Sequence, residues 1–321
     1  MDRAASIVRT LIGLIVSVAL VGIGILAIRY ALDMGSGVPE HESDGETGAD
    51  EDDGSLEARS FSEYSWEELA AIADLIEAAP DDDAGRAIAA RWGLIDGEGR
   101  LTAQTHALEL ENGLTVDVRL IGILHDTVSD GGKKAGLTFM TSPIEVRGVN
   151  GSASSQGGWE GSELRAWLAS EGLARFPDGL AGRIVPVAKL TNNTGKSDAV
   201  ASVTETSDTL WLLSCREVCG QISWLEDEFG YLSDGADDLL NAEGTQYEAF
   251  VQAGVDQGSD DASYLIMFYR GAPVAWWYRT PYAFEYLATT DDTFYQVSPS
   301  GYASTANLAD TQAGVVVGFC L

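Results

Sequence analysis

Ala275-Trp276-Trp277-Tyr278-Arg279-Thr280-Pro281 is the stretch around which the chain is organised. Adjacent tryptophans are costly to leave in water, because each ring buries on the order of 150–250 Å². In a strand, Trp277 and Arg279 share one face and Trp276 and Tyr278 the other. One face is therefore expected in a core, and the other is left with an aromatic beside a solvent rim or a ligand. Upstream, Ala262–Tyr269 is apolar and strand-like and leads through Gly271 and Pro273 into the tryptophan pair. Downstream, Tyr282, Phe284, Tyr286, Phe294, Tyr295 and Tyr302 lie among Thr, Ser, Asp, Ala and Asn. Binding loops favour that mixture, since tyrosines give stiff contact area and small polar residues adapt. The candidate ligand contacts are Tyr278, Arg279, Tyr282, Tyr286, Tyr295 and Tyr302, with Arg279 offering a fork to a carboxylate or a plane to a sugar. In the competing structural reading these aromatics are core, and Arg279 is a buried ion-pair partner of Glu217 or Glu163. The final run, Gly314–Leu321, reads as one buried strand.

The totals bound the rest. The chain has 321 residues, 45 % of them apolar, so one large domain with accessories can bury a core. Thirty-six glycines and many short apolar runs favour a turn-rich, strand-rich body. A formal net charge of −31 argues against nucleic acid, which needs clustered Lys and Arg, and against the body lying on anionic lipid. Cys215, Cys219 and Cys320 make neither a disulfide framework nor a zinc set. Outside the cytoplasm one bridge can form, and both 219 with 320 and 215 with 219 remain open. No Gly-x-Ser-x-Gly, His-Glu-x-x-His or phosphate loop is present. His125-Asp126 could be an acid–base pair, but with no nucleophile nearby a strand-end His beside a turn Asp reads as structural.

At the front, Leu11–Ile28 is apolar or small throughout except for Ser17. At about 1.5 Å per residue, such a helix spans most of a ~30 Å hydrocarbon core, with Arg3, Arg9 and Arg29 at its ends. The run is longer than the apolar region of a signal peptide and lacks its small-x-small end, so a retained anchor is expected. The positive-inside rule then places residues 1–9 in the cytoplasm, a transmembrane helix at 10–30 and the remainder outside the cell. Residues 31–60 form an acidic linker whose mutual repulsion keeps it extended and disordered. Residues 61–101 read as a helical hairpin. Ser65 and Glu68 make a capping box ahead of Leu69, Ile72, Ala73 and Ile76 on one face, and Pro80 stops the helix. A second helix runs from Asp83 to Trp92 with Gly93 at its end. From His106 the period changes to two, with Asn112-Gly113 turning a hairpin, and Gly136–Met140 adds a strand. Leu164, Trp167 and Leu168 form a helical stripe. Arg183–Leu190 and Thr209–Leu213 read as strands with a polar loop, Thr191–Asp208, between them. Cys215 and Cys219 fall in a strand and turn, and Trp224–Asp238 is acidic and irregular.

Four motifs recur in a familiar order: Trp159–Leu168, Leu210–Ser214 with Glu217-Val218-Cys219-Gly220, Trp276–Pro281, and the terminal Gly314–Phe319 strand. In this order they resemble a bacterial domain family of unknown function whose members end in a Trp-Trp-Leu-Arg-Ser-Pro block and a Gly-Val-Arg-Pro-Ala-Phe strand. That family looks related to the C-type-lectin-like fold of formylglycine-generating enzymes. Val316 and Val317 stand where the family carries Arg and Pro, so no role of that arginine carries over. The resemblance implies an α+β fold, with residues 102–321 forming a lectin-like domain on which the hairpin packs. It also brings an enzyme alternative, a formylglycine-generating type of oxidoreductase, whose reactive cysteine pair is not matched by Cys215, Cys219 or Cys320; another kind of surface enzyme stands beside it. Calcium, common in lectin-like folds, has acidic clusters at Asp234, Asp237 and Asp238 and at Asp256, Asp260 and Asp261, and no spacing singles either out. The expected function is that of a membrane-anchored extracytoplasmic protein without a cofactor. It binds a cell-surface glycan, peptide or protein rather than acting on it. A structural surface protein without a ligand is the third reading.

Overall fold

A computed structural model describes residues 58–197, 199–223, 236–282 and 292–321. The expected cytoplasmic tail, membrane span and most of the acidic linker lie outside the described residues, as do Tyr286 and residues 224–235. Among the described residues no helix is long and apolar enough to cross a membrane. Those residues mix helix and strand, as an α+β fold requires.

The hairpin forms where its caps dictate. Helix α1, Trp66–Glu77, starts at Ser65, whose hydroxyl accepts from the Glu68 amide while Glu68 accepts from the Ser65 amide. It buries Leu69, Ile72, Ala73 and Ile76, worth roughly 1.5–3 kcal/mol for each large side chain. Helix α2, Asp82–Arg91, is capped by Asp81. It ends at Gly93, whose φ of 70° lets the amides of Gly93 and Leu94 turn back onto the carbonyls of Ala90 and Ala89. The hairpin packs on the first sheet through aromatic contacts of Phe61 and Trp66 with Phe139. Gly136 permits this approach, since a Cβ there would stand 2.2 Å from the Ala73 carbonyl oxygen.

Strands β1 (Thr105–Glu109) and β2 (Thr115–Ile123) pair antiparallel, with Leu108 opposite Val116. Strand β3 (Leu137–Thr141) follows, and with the terminal β13 (Gly318–Cys320) the order of the four-stranded sheet is β1-β2-β3-β13. Strand β4 is Val146–Arg147, helix α3 is Glu163–Trp167 and helix α4 is Asp178–Ala181. Strands β5 (Val187–Asn192) and β6 (Val203–Asp208) form a separate hairpin. The expected polar loop at 191–208 therefore contains a strand, and Thr209–Leu213 is not one. Trp211 instead makes a lone bridge to Gly318. Helix α5 is Cys215–Cys219, which corrects the strand and turn expected there. Helices α6 (Ala236–Asn241) and α7 (Glu248–Gln252) precede the small hairpin β7 (Met267–Tyr269) and β8 (Ala272–Val274).

Strand β9, Trp276–Pro281, lies at the centre of the five-stranded sheet. It stands between β10 (Thr293–Val297), which is flanked by β11 (Thr305–Leu308), and β12 (Ala313–Gly314), which is flanked by β4. All six residues of β9 are buried, so neither face meets solvent, contrary to the expectation of one open face. The terminal run is not a single strand either. Gly314 pairs with Trp276 in the second sheet, Val315–Val317 are buried, and β13, Gly318–Cys320, pairs with β3 in the first. This run sews the two sheets together. Trp277 donates to the Arg147 carbonyl, and Arg147 stacks 4.7 Å from the ring of Trp167. The Trp159–Leu168 segment and β9 thus share one interior.

Candidate functional site

The alternation along β9 sends Trp276 and Tyr278 to one side and Trp277 and Arg279 to the other. Trp276 donates to the Leu265 carbonyl and meets Tyr278 edge-on at 5.2 Å. Tyr278 donates to the Ala303 carbonyl at 2.8 Å. Arg279 is wholly buried. Its Nη1 donates to Glu217 Oε2 at 2.5 Å and its Nη2 to Glu217 Oε1 at 2.9 Å, a bidentate fork. Nε reaches Thr191, and the remaining donors reach the carbonyls of Leu212, Leu190 and Glu243. Burial opposes the charge on Arg279, but the Glu217 carboxylate outweighs it and raises the guanidinium pKa further. Glu217 is held by the α5 capping box, where it accepts from the Ser214 amide.

Glu217 also accepts from Lys189 Nζ at 3.1 Å. Lys189 bonds Asp126 and Tyr247, and its ammonium lies 4.3 Å over the Trp211 ring. Asp126 further accepts from Thr138. Burial pushes the Asp126 and Glu217 carboxyls up, and the facing cations, Lys189 for Asp126 and Arg279 for Glu217, bring both below their ordinary values. Two cations and two carboxylates thus balance inside the domain. His125 lies against Tyr247, with ring centroids 4.2 Å apart and planes tilted by 34°, and burial lowers its pKa.

Glu243 is the third buried carboxyl at this cluster, accepting from the Asn192 amide and the Thr280 hydroxyl. Burial raises its carboxyl from 4.5 to about 7. Such a group binds its proton more tightly in the folded chain than in the unfolded one. Its stabilising contribution is therefore full below about pH 4.5 and is lost as pH rises to about 7. Glu243→Gln is expected to abolish this loss. Unfolding free energies of the two proteins from urea titrations should diverge in favour of the variant between pH 5 and pH 8.5, by about 3 kcal/mol. Parallel pH profiles would show that Glu243 does not titrate in this range.

Of the residues expected to contact a ligand, Tyr278, Arg279 and Tyr295 are buried. Tyr282 is half-buried against Tyr295 with ring centroids 5.0 Å apart. Tyr302, on the turn between β10 and β11, is 38 % exposed. Cys215 and Cys219 stand 3.7 Å apart under Tyr278 and the Ala303 carbonyl, and Cys320 lies apart on β13 beside Thr138 and Asp126. Among the described residues no group of three or more His, Cys, Asp or Glu side chains could hold a metal ion.

An open concavity lies elsewhere, on residues outside the expected set. A groove of about 670 Å³ is lined by the turn after α2, by Gln104, by Leu120 of β2, by Gln252 on α7 and by Tyr264. Asp96 shapes that turn by accepting from the amides of Glu98 and Arg100, and it pairs with the Arg100 side chain at 3.0 Å. Arg86 joins α2 to α7 through a bidentate bond with Glu248. Tyr264 is fixed from behind by Arg119, which lies 4.7 Å over its ring and donates to its carbonyl, and by Phe250 edge-on at 5.6 Å.

A family model described as a domain of unknown function (DUF6273) matches residues 125–321, and the chain belongs to that family. The matched region holds every member of the Arg279 cluster. No curated protein and no solved structure matches the chain.

Proposed function

We propose that the chain is a non-catalytic binding protein, anchored in the membrane by residues 10–30 and facing outward. Its ligand is an uncharged, hydroxyl-rich molecule of the glycan class, taken in the groove beside Tyr264. One contrast carries the reading. The buried charges are turned on one another, whereas the groove presents a braced aromatic ring, two carboxamides at Gln104 and Gln252, and an acid already paired with Arg100. Aromatic faces with amide donors and acceptors suit a sugar, and the volume lies in the usual range for small-ligand sites, about 300–1,000 Å³. A lectin-like architecture, with loops displayed over a rigid base, agrees with two sheets sewn together by the terminal run. The anchor rests on the apolar run Leu11–Ile28 and its flanking arginines. No cofactor enters this reading.

A second surface has its own observation. Tyr302 is exposed on a turn tied down by the bond from Tyr278 to the neighbouring Ala303, which suits adhesion to a peptide or protein. The full chain in detergent, screened against neutral and acidic glycans and cell-surface peptides, separates the two. Neutral glycans are expected to bind, with at least about tenfold loss in Tyr264→Ala, about 1.4 kcal/mol, and none in Tyr302→Ala. Loss in Tyr302→Ala alone would move the site to that turn. An array without a single binder would overturn the function.

A further inference from the structure

We propose that Cys215 and Cys219 are a disulfide-forming pair and that Cys320 remains the free thiol. The two residues sit one turn apart on the same face of α5, with their sulfurs 3.7 Å apart. Four helical steps separate the Cα atoms by about 6 Å, inside the roughly 4.4–6.8 Å that disulfides span. Closing the sulfurs to about 2 Å requires the Cβ atoms to approach, which a helix end allows more readily than a helix middle. Helix α5 has only five residues and stops at Gly220, whose φ of 74° already leaves the helical path. Cys320 is held on the other sheet by Thr138 at 3.2 Å and by Asp126, with no thiol partner.

The bond forms by thiol–disulfide exchange with a disulfide oxidant, either a small-molecule disulfide or a dithiol oxidoreductase. One cysteine thiolate attacks a sulfur of the oxidant and expels a thiolate. The second cysteine then attacks the mixed disulfide and expels the other. The chain loses two electrons and two thiol protons, and the oxidant leaves as two thiols. Both cysteines are buried in the folded domain, and the hydrogen bond with Cys219 and burial raise the Cys215 thiol pKa well above its ordinary value. Exchange therefore belongs to the folding chain, before β9 and the 298–304 turn close over α5. Glu217 lies between the two cysteines, so the bond staples the turn that presents its carboxylate to Arg279 and Lys189.

Trypsin makes the test direct, because Arg216 separates the pair. Cys215 falls in Ser197–Arg216, Cys219 in Glu217–Arg270 and Cys320 in Thr280–Leu321. The full chain is refolded in a glutathione redox buffer, unfolded with an alkylating agent and digested without reductant. The expected products are a linked pair of Ser197–Arg216 with Glu217–Arg270 and an alkylated Thr280–Leu321. Cys320→Ser should keep the link and Cys219→Ser should remove it. Alkylation of all the cysteines, or a link to Thr280–Leu321, would overturn the pairing. The buffer supplies the oxidant, so the outcome is independent of the proposed ligand and of where the domain resides.

Discussion

Arg279→Met is expected to lower the stability of the fold by about 3–5 kcal/mol, because it strands a buried carboxylate. The wild-type interior holds Arg279 and Lys189 against Glu217 and Asp126. Removing Arg279 leaves one negative charge too many around residues with almost no solvent contact. It also orphans the Leu212 carbonyl and Thr191, which Arg279 serves. Domains are typically stable by only about 5–15 kcal/mol, so this variant is expected to be substantially unfolded at modest urea. Arg279→Lys keeps the charge but not the fork, and its loss should be smaller without vanishing. Tryptophan fluorescence reads the transition, since Trp159, Trp211, Trp276 and Trp277 are all fully buried. An Arg279→Met midpoint equal to that of wild type would mean that Glu217 is solvated in the native protein.

Gly195→Ala is expected to cost at least about 3 kcal/mol, through backbone strain and overlap together. Gly195 has a φ of 78°, and an added Cβ would stand 1.7 Å from the Ser155 carbonyl oxygen. The turns at 155–158 and 192–195 interlock here, with the Gly157 amide donating to the Thr194 carbonyl at 3.0 Å. Asn192 caps the second turn, accepting from the Gly195 amide with its side chain while its own amide donates to Glu243. A shift at Gly195 therefore reaches the edge of the charge cluster. Gly179→Ala is the control. Nothing lies within 4 Å of its added Cβ, and it sits in helix α4, so a change within about 1 kcal/mol in the stabilising direction is expected. Equal urea midpoints for Gly195→Ala and wild type would show that the two turns are not locked.

The fold was legible where local signals and tertiary packing agree. Ser65 with Glu68, and Gly93 after α2, mark helix ends by hydrogen bonds that depend only on neighbouring residues. The alternation from Leu108 to Leu120 marks a hairpin because one face is buried along its length. Strand β5 hid its function because its pattern is inverted. Leu190 is 41 % exposed, while Lys189 and Thr191 point inward to the charge cluster. Periodicity reads that strand with the wrong face in, and the scarcity of lysine in the chain was the one available signal. The structural reading of Arg279 as a partner of Glu217 matches the geometry, because an arginine beside two tryptophans in a central strand has no route to water. The groove was illegible for a different reason. Gln104, Gln252 and Tyr264 are ordinary surface residue types, and only the packing of the hairpin, β2 and α7 brings them together.

Glu217 closes off the charge of Arg279 inside a rigid scaffold, and a double-mutant cycle measures that closure. Urea unfolding of wild type, Arg279→Met, Glu217→Gln and the double variant isolates the coupling. With both changes, Lys189 and Asp126 are left as a balanced pair. The prediction is a coupling of about 2–3 kcal/mol, with the double variant no less stable than Arg279→Met alone. Losses that add to within about 0.5 kcal/mol would contradict it.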